Sequence, residues 1–169
     1  MGLSNLGFFH TIIGISAILA ALVGFIRYGK INLAVLSGKI YFYATALTSL
    51  TALGISKQGG FNAGHVFSLF ILLLIVVSFY LFLDKKGNQK VRYIENFLLS
   101  FSFFLSLVPT INETFTRIPL GHPLASDSKD PIIGHTLLVL FVLFFIGSIL
   151  QFIMQKRSNA AASSIDIKG

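Results

Sequence analysis

Residues 61–83 read FNAGHVFSLFILLLIVVSFYLFL, a run with no Asp, Glu, Lys or Arg. A helix needs about 20 apolar residues to cross the hydrocarbon of a bilayer, and this stretch supplies them with no water-facing side left over. Strand-like alternation of polar and apolar positions is absent, so a helix is the form that satisfies its backbone in lipid. Outward from it, stretches of similar character lie at 6–26, 33–55, 93–111 and 132–154. The chain thus reads as an all-α integral membrane bundle of five transmembrane helices. Composition agrees: 54% of the 169 residues are apolar, 11% are charged, and the mean hydropathy is +0.83, where about 45–50% apolar is usual for a soluble domain.

The same composition removes several function classes. A chain of 169 residues has room for this bundle but not for a soluble domain beside it. The absence of cysteine excludes disulfides, thiolate metal sites, iron–sulfur clusters and haem attached covalently in the usual way. A net charge of +7 invites nucleic acid as a partner. The basic residues, however, sit in short connectors beside apolar spans, where they orient the chain and meet anionic lipid, so no nucleic acid is expected. No basic residue precedes the first span, and no small-residue cleavage pattern follows it, so it reads as a retained span and not a signal peptide.

Orientation follows from the 13 lysines and arginines. Arg27, Lys30, Lys39, Lys85, Lys86, Lys90, Arg92, Lys156, Arg157 and Lys168 fall on one side of the spans, and Lys57, Arg117 and Lys129 on the other. The positive-inside rule then puts the N-terminus outside and the C-terminus in the cytoplasm. Tyr28, Tyr41, Tyr43, Tyr80 and Tyr93 lie towards the cytoplasmic interface, where amphipathic rings anchor. The outer connector 112–131 is long, carries Asn112, Glu113, Arg117, His122, Asp127 and Asp130, and has all four prolines in or beside it. Loops of that length are uncommon unless functional or disordered, and its polar side chains favour an ordered lid. The tail 155–169, rich in Ala, Ser and Asn, reads as disordered.

This orientation puts all four histidines on the outer side. His10, His65 and His135 sit at similar depth just inside the outer ends of spans 1, 3 and 5, and His122 lies in the outer connector. Neutral imidazoles at one level suit haem b or a transition metal such as Zn, Cu or Fe. Glu113, at the outer end of span 4, can supply a carboxylate ligand or orient an imidazole. The competing reading is ordinary interfacial histidine, and no HxxxH or HxxE spacing sharpens the metal case.

Helical phase adds three patterns. His10, Gly14, Ala17, Ala21 and Gly24 share one face of span 1, and Gly38, Thr45, Ser49, Ala52 and Ser56 form a matching stripe on span 2. Small residues on one face let helices approach closely in lipid, so His10 is expected to point into the bundle. Glu95, Ser102, Ser106 and Glu113 follow one line along span 4, a proton path or, more simply, a packing seam with a carboxylate at each wet end. Glu95 is expected to pair with Lys39 at a similar cytoplasmic depth.

Four local patterns carry a resemblance: His10 with Gly14, Ser37-Gly38-Lys39-Ile40-Tyr41 at the start of span 2, Phe61-Asn62 through His65 at the start of span 3, and Asn112-Glu113-Thr114-Phe115-Thr116-Arg117-Ile118-Pro119. In these the chain, up to about Gln151, resembles a group of small uncharacterised bacterial multi-pass inner-membrane proteins, similar in turn to a family with histidines at its helix ends. That broader family commonly has a histidine before the Gly-Lys/Arg-Tyr opening of its second span. Here the stretch is Leu33-Ala34-Val35-Leu36, which offers no inner-side ligand. The resemblance implies fold and localisation, and no activity.

Two functions remain open. One is electron transfer or metal handling through an outer-leaflet centre held by His10, His65 and His135, with quinone or another redox partner. The other is a non-catalytic accessory or structural subunit of a larger membrane complex. Transport is the weaker third, since there is no inverted repeat and no broken helix at mid-membrane.

Overall fold

The computed structural model describes residues 4–55, 60–83 and 88–166, with side chains of the last helix through Ala160. Among them the chain is all-helical: α1 (Asn5–Tyr28), α2 (Leu36–Ala52), α3 (Ala63–Leu83), α4 (Gln89–Phe115) and α5 (Pro131–Asp166). α1, α3, α4 and α5 are long and apolar enough to cross a membrane. α2, at 17 residues, rises only about 26 Å at 1.5 Å per residue, short of the roughly 30 Å hydrocarbon core. The expected span 33–55 is therefore partly loop. Asn32 ends that loop by accepting the Ala34 N–H on its side chain (3.0 Å) and the Val35 N–H on its carbonyl (3.2 Å). Ser56 of the span 2 stripe, Lys57, Lys85, Lys86 and Lys168 lie outside the described residues.

The chain divides into two units, Met1–Ser102 and Phe103–Gly169. In the first, α1 and α2 form an antiparallel hairpin along the two small-residue faces. Ala17, Ala20, Ala21 and Gly24 of α1 and Gly38, Tyr41, Thr45 and Ser49 of α2 are buried, as the stripes in the sequence imply. The connector between them is part of the core: Ile31 and Leu33 are almost wholly buried. Two glycines make room for it. A Cβ on Gly24 would lie 3.1 Å from the Lys30 carbonyl oxygen, and one on Gly38 would overlap the Asn32 carbonyl and come within 2.9 Å of the Leu33 nitrogen. Gly29 ends α1 in the left-handed conformation, φ 66°, and returns its N–H to Phe25 O at 2.9 Å. α3 packs on α2, with Phe42 and Phe79 stacked at 4.7 Å.

Tyr41 departs from the interfacial anchoring expected of it. It is 1% exposed, and its hydroxyl lies 2.7 Å from Ser102 Oγ. Ser102 spends its own proton on Leu99 O at 2.8 Å, so Tyr41 is the donor. A buried phenol needs a partner, and the polar seam of α4 supplies one.

In the second unit, Phe104 packs against Phe144 at 5.1 Å and Phe141 at 5.9 Å. Helix α4 runs four residues past the expected end of its span and contains Pro109. Thr110 bonds Ser106 O at 2.8 Å in that turn. The connector that remains, 116–130, is ordered by its own hydrogen bonds: Ala125 N–H to Phe115 O at 2.9 Å, with Ala125 buried, and Leu124 N–H to Ile118 O at 3.2 Å. α5 begins at Pro131, a residue suited to the first helical position. It continues to Asp166, through the segment expected to be disordered. Gln155 Nε2 donates to Asn159 Oδ1 at 2.9 Å one turn on, and the alanines at 160–162 have the strongest helix preference of any residue.

Candidate functional site

At one end of the first unit α1 begins, α2 ends and α3 begins, and two of the four histidines sit there. Asn62 precedes α3 and caps it: its Oδ1 accepts the Gly64 N–H at 2.8 Å and, more weakly, the His65 N–H at 3.4 Å. His65 answers, its Nδ1 accepting the Asn62 N–H at 3.1 Å. This reciprocal pair is a capping box, with an imidazole where Glu or Gln is usual. A neutral imidazole that accepts at Nδ1 carries its proton on Nε2, so the network assigns His65 as a donor at Nε2. The residue is only 5% exposed, and Nε2 is buried with no hydrogen-bond partner among the described residues. His65 forms part of the wall of an open hollow of about 370 Å³ shared with Leu53, Gly60, Phe61 and Leu69. The Phe61 ring tilts across the imidazole at 5.4 Å.

His10 is held differently. Its Nδ1 lies 3.1 Å from Thr51 Oγ1, in the last turn of α2. The single hydroxyl proton of Thr51 is directed at the carbonyls of Leu47 (2.9 Å) and Thr48 (3.0 Å). With that proton on a carbonyl, the contact is satisfied by His10 donating from Nδ1, the tautomer with its lone pair on Nε2. The two imidazoles are in opposite tautomers, each fixed by one end of α2 or α3. The expectation that His10 points into the bundle is met by this bond.

In the second unit, Glu113 is engaged in an ion pair with Arg117 one turn later, and both His122 and His135 are exposed. Asp130 closes the 116–130 connector: Oδ2 accepts the Ser126 N–H at 3.0 Å and Oδ1 the Ile132 N–H at 3.2 Å. These backbone N–H groups hold its carboxyl below the usual carboxylate range. Within each unit, among the described residues, no three His, Asp or Glu side chains gather at metal-ligand range.

The other end of the first unit carries charge. Glu95 is 4% exposed, and its Oε2 accepts from the Arg92 guanidinium at 2.6 Å. The same Arg92 nitrogen donates to Phe82 O at 3.3 Å, and the guanidinium lies over the Phe82 ring, 5.8 Å from its centre. Arg92 thus ties the start of α4 to the end of α3. Lys30, in the connector after α1, has its ammonium held below the ordinary lysine range. Burial is the main cause, opposed by attraction to Glu95 and aided by repulsion from Arg92. Lys39 was the partner expected for Glu95; Lys39 is exposed, and the side chain found on the Glu95 carboxylate is Arg92, one turn away on the same helix. That i, i+3 spacing was available in the sequence.

The Asn62–His65 box also had a signal, a polar N-cap residue three positions before a hydrogen-bonding side chain at the head of an apolar run. Thr51 had none, because its role depends on the depth at which α1 and α2 cross. Compared with known proteins, the chain matches no family model, no curated protein and no solved structure.

Proposed function

We propose that the chain is a non-catalytic accessory or structural subunit of a larger membrane complex, in a bacterial inner membrane, with its N-terminus outside and its C-terminus cytoplasmic. The observation that carries this reading is that His65, the most buried histidine, spends Nδ1 on the start of α3 and bears a proton on Nε2. A metal or haem iron at Nε2 needs the lone pair there. Moving the proton to Nδ1 would set it against the Asn62 N–H and break that half of the capping box, a loss of about 1 kcal/mol. α5 supports the same reading. It presents Leu138, Val139, Phe141, Val142, Leu143 and Phe145 around its circumference, a surface for lipid or for the helices of a neighbouring subunit.

A second reading, haem b or a transition metal held through His10, is favoured by the Nε2 lone pair that its bond to Thr51 implies. The visible spectrum and metal content of the full chain purified from membranes separate the two. The accessory subunit gives no Soret band and far less than one metal per chain. A Soret band or a stoichiometric metal that disappears in His10→Ala would overturn it in favour of the redox centre.

A further inference from the structure

A buried N–H without an acceptor costs about 1–3 kcal/mol, and native interiors rarely leave one. His65 Nε2 is such a group, with no partner among the described residues. Its tautomer follows from the Asn62 N–H that Nδ1 accepts, so the missing partner is an acceptor and not a cation or a metal. Among the described residues the hollow that His65 helps to wall is otherwise apolar, lined by Leu53, Phe61, Leu69 and the backbone at Gly60. Its volume of about 370 Å³ lies within the roughly 300–1,000 Å³ of small-molecule sites, where an apolar lining with one or two placed polar groups is the rule.

We propose that this hollow binds the head of a lipophilic carbonyl compound, whose C=O oxygen accepts the hydrogen bond from His65 Nε2. Phe61, 70% exposed and with its ring 5.4 Å from the imidazole, is the side chain that the proposal requires to swing aside so that a ligand reaches Nε2. Its ring then lies against the ligand. A planar head such as a quinone gains offset stacking from that ring, whereas the ester carbonyl of a membrane lipid gains only the hydrogen bond. Both bring the same acceptor from the membrane phase. The proposal goes beyond the accessory-subunit reading and does not depend on it, since a bound carbonyl neither needs nor excludes a partner subunit.

Two substitutions separate donation from capping. His65→Asn keeps an oxygen near the position of Nδ1 to take the Asn62 N–H, but has nothing at the position of Nε2. His65→Gln keeps an N–H donor near Nε2. A third, Leu53→Trp, fills the hollow without touching the cap. The experiment uses the full chain in nanodiscs of ether lipids, which lack ester carbonyls, titrated with a short-chain quinone or an ester phospholipid carrying a ¹³C carbonyl. The readout is the His65 Nε2–H resonance.

Saturable binding of either probe is expected, weakened about tenfold by His65→Asn, retained by His65→Gln, and abolished by Leu53→Trp with the melting temperature near that of the wild type. Quinone binding alone identifies a quinone head as the ligand, and ester binding alone identifies a lipid. Failure of both probes to move the Nε2–H resonance overturns the proposal, as does equal affinity in the wild type and His65→Asn. Should His65→Asn not fold, Leu53→Trp decides: unchanged binding there also overturns it.

Discussion

Gly38 is the residue on which the first unit leans most heavily. Its missing side chain is filled by the backbone of Asn32 and Leu33, and backbone cannot swing aside as a side chain can. Gly38→Ala is therefore expected to destabilise the protein by about 3 kcal/mol, the upper range for overpacking, despite the gain of about 1 kcal/mol that alanine brings to a helix interior. Gly14 lies in the same kind of stripe, yet a Cβ there would meet only Thr48 Cγ2 at 3.6 Å, an ordinary contact. Gly14→Ala should leave the melting temperature in detergent unchanged or raise it. Equal effects of the two substitutions would contradict the packing of the 29–35 connector against α2. Both glycines belong to stripes that helical phase displays plainly in the sequence. Which of them a backbone approaches was not legible, because that depends on a loop folding back between two helices.

At the scale of elements, the joints between helices divide into charged and neutral ones. Arg92, Glu95 and the Phe82 carbonyl join α3 to α4. Removing one partner of a buried ion pair strands the other, at a cost of about 3–5 kcal/mol, with the lower end expected here because Arg92 keeps access to solvent. Glu95→Gln should destabilise by that order, and a double-mutant cycle with Arg92→Met should show coupling of about 1–3 kcal/mol. The cycle with Lys39→Met should show none. The joint at the start of α5 titrates in acid. The carboxyl of Asp130 lies below its ordinary value when folded, so its contribution to the loop is fully present above the unfolded value and is lost as pH falls through the lower, folded one. The amide resonances of Ser126 and Ile132 should hold their positions from about pH 6 into the carboxylate range and move only below about pH 3.8; movement well above that value would contradict the cap. Depth alone matched Lys39 to Glu95, since sequence gives depth along a helix but not the rotation that decides which neighbour a side chain reaches.

At the scale of the whole molecule, the helical membrane class was legible because the apolar runs alone decide it: four of the five helices have the length and hydropathy to cross. The second span was drawn from Leu33, which looks like a membrane residue but lies in the connector before α2 and is buried by the α1–α2 hairpin. The outward positions expected for the N-terminus and for connector 116–130 rest only on the distribution of 13 basic residues. Reporter fusions after Gly87 and Lys168 should behave as cytoplasmic and one at Asp127 as exported; the reverse pattern would invert the molecule. The central claim concerns what the histidines do. Depth along the spans grouped His10, His65 and His135 as ligands, whereas hydrogen-bond partners distinguish them, and partners are invisible until the helix ends are placed. Nitrogen NMR of the full chain labelled with ¹⁵N-histidine reads those partners directly. Histidines that hold helix ends give His65 protonated at Nε2 with Nδ1 as acceptor, and His10 protonated at Nδ1, both in the absence of any metal. His65 protonated at Nδ1, or an Nε2 resonance shifted by a bound metal or haem iron, would contradict it.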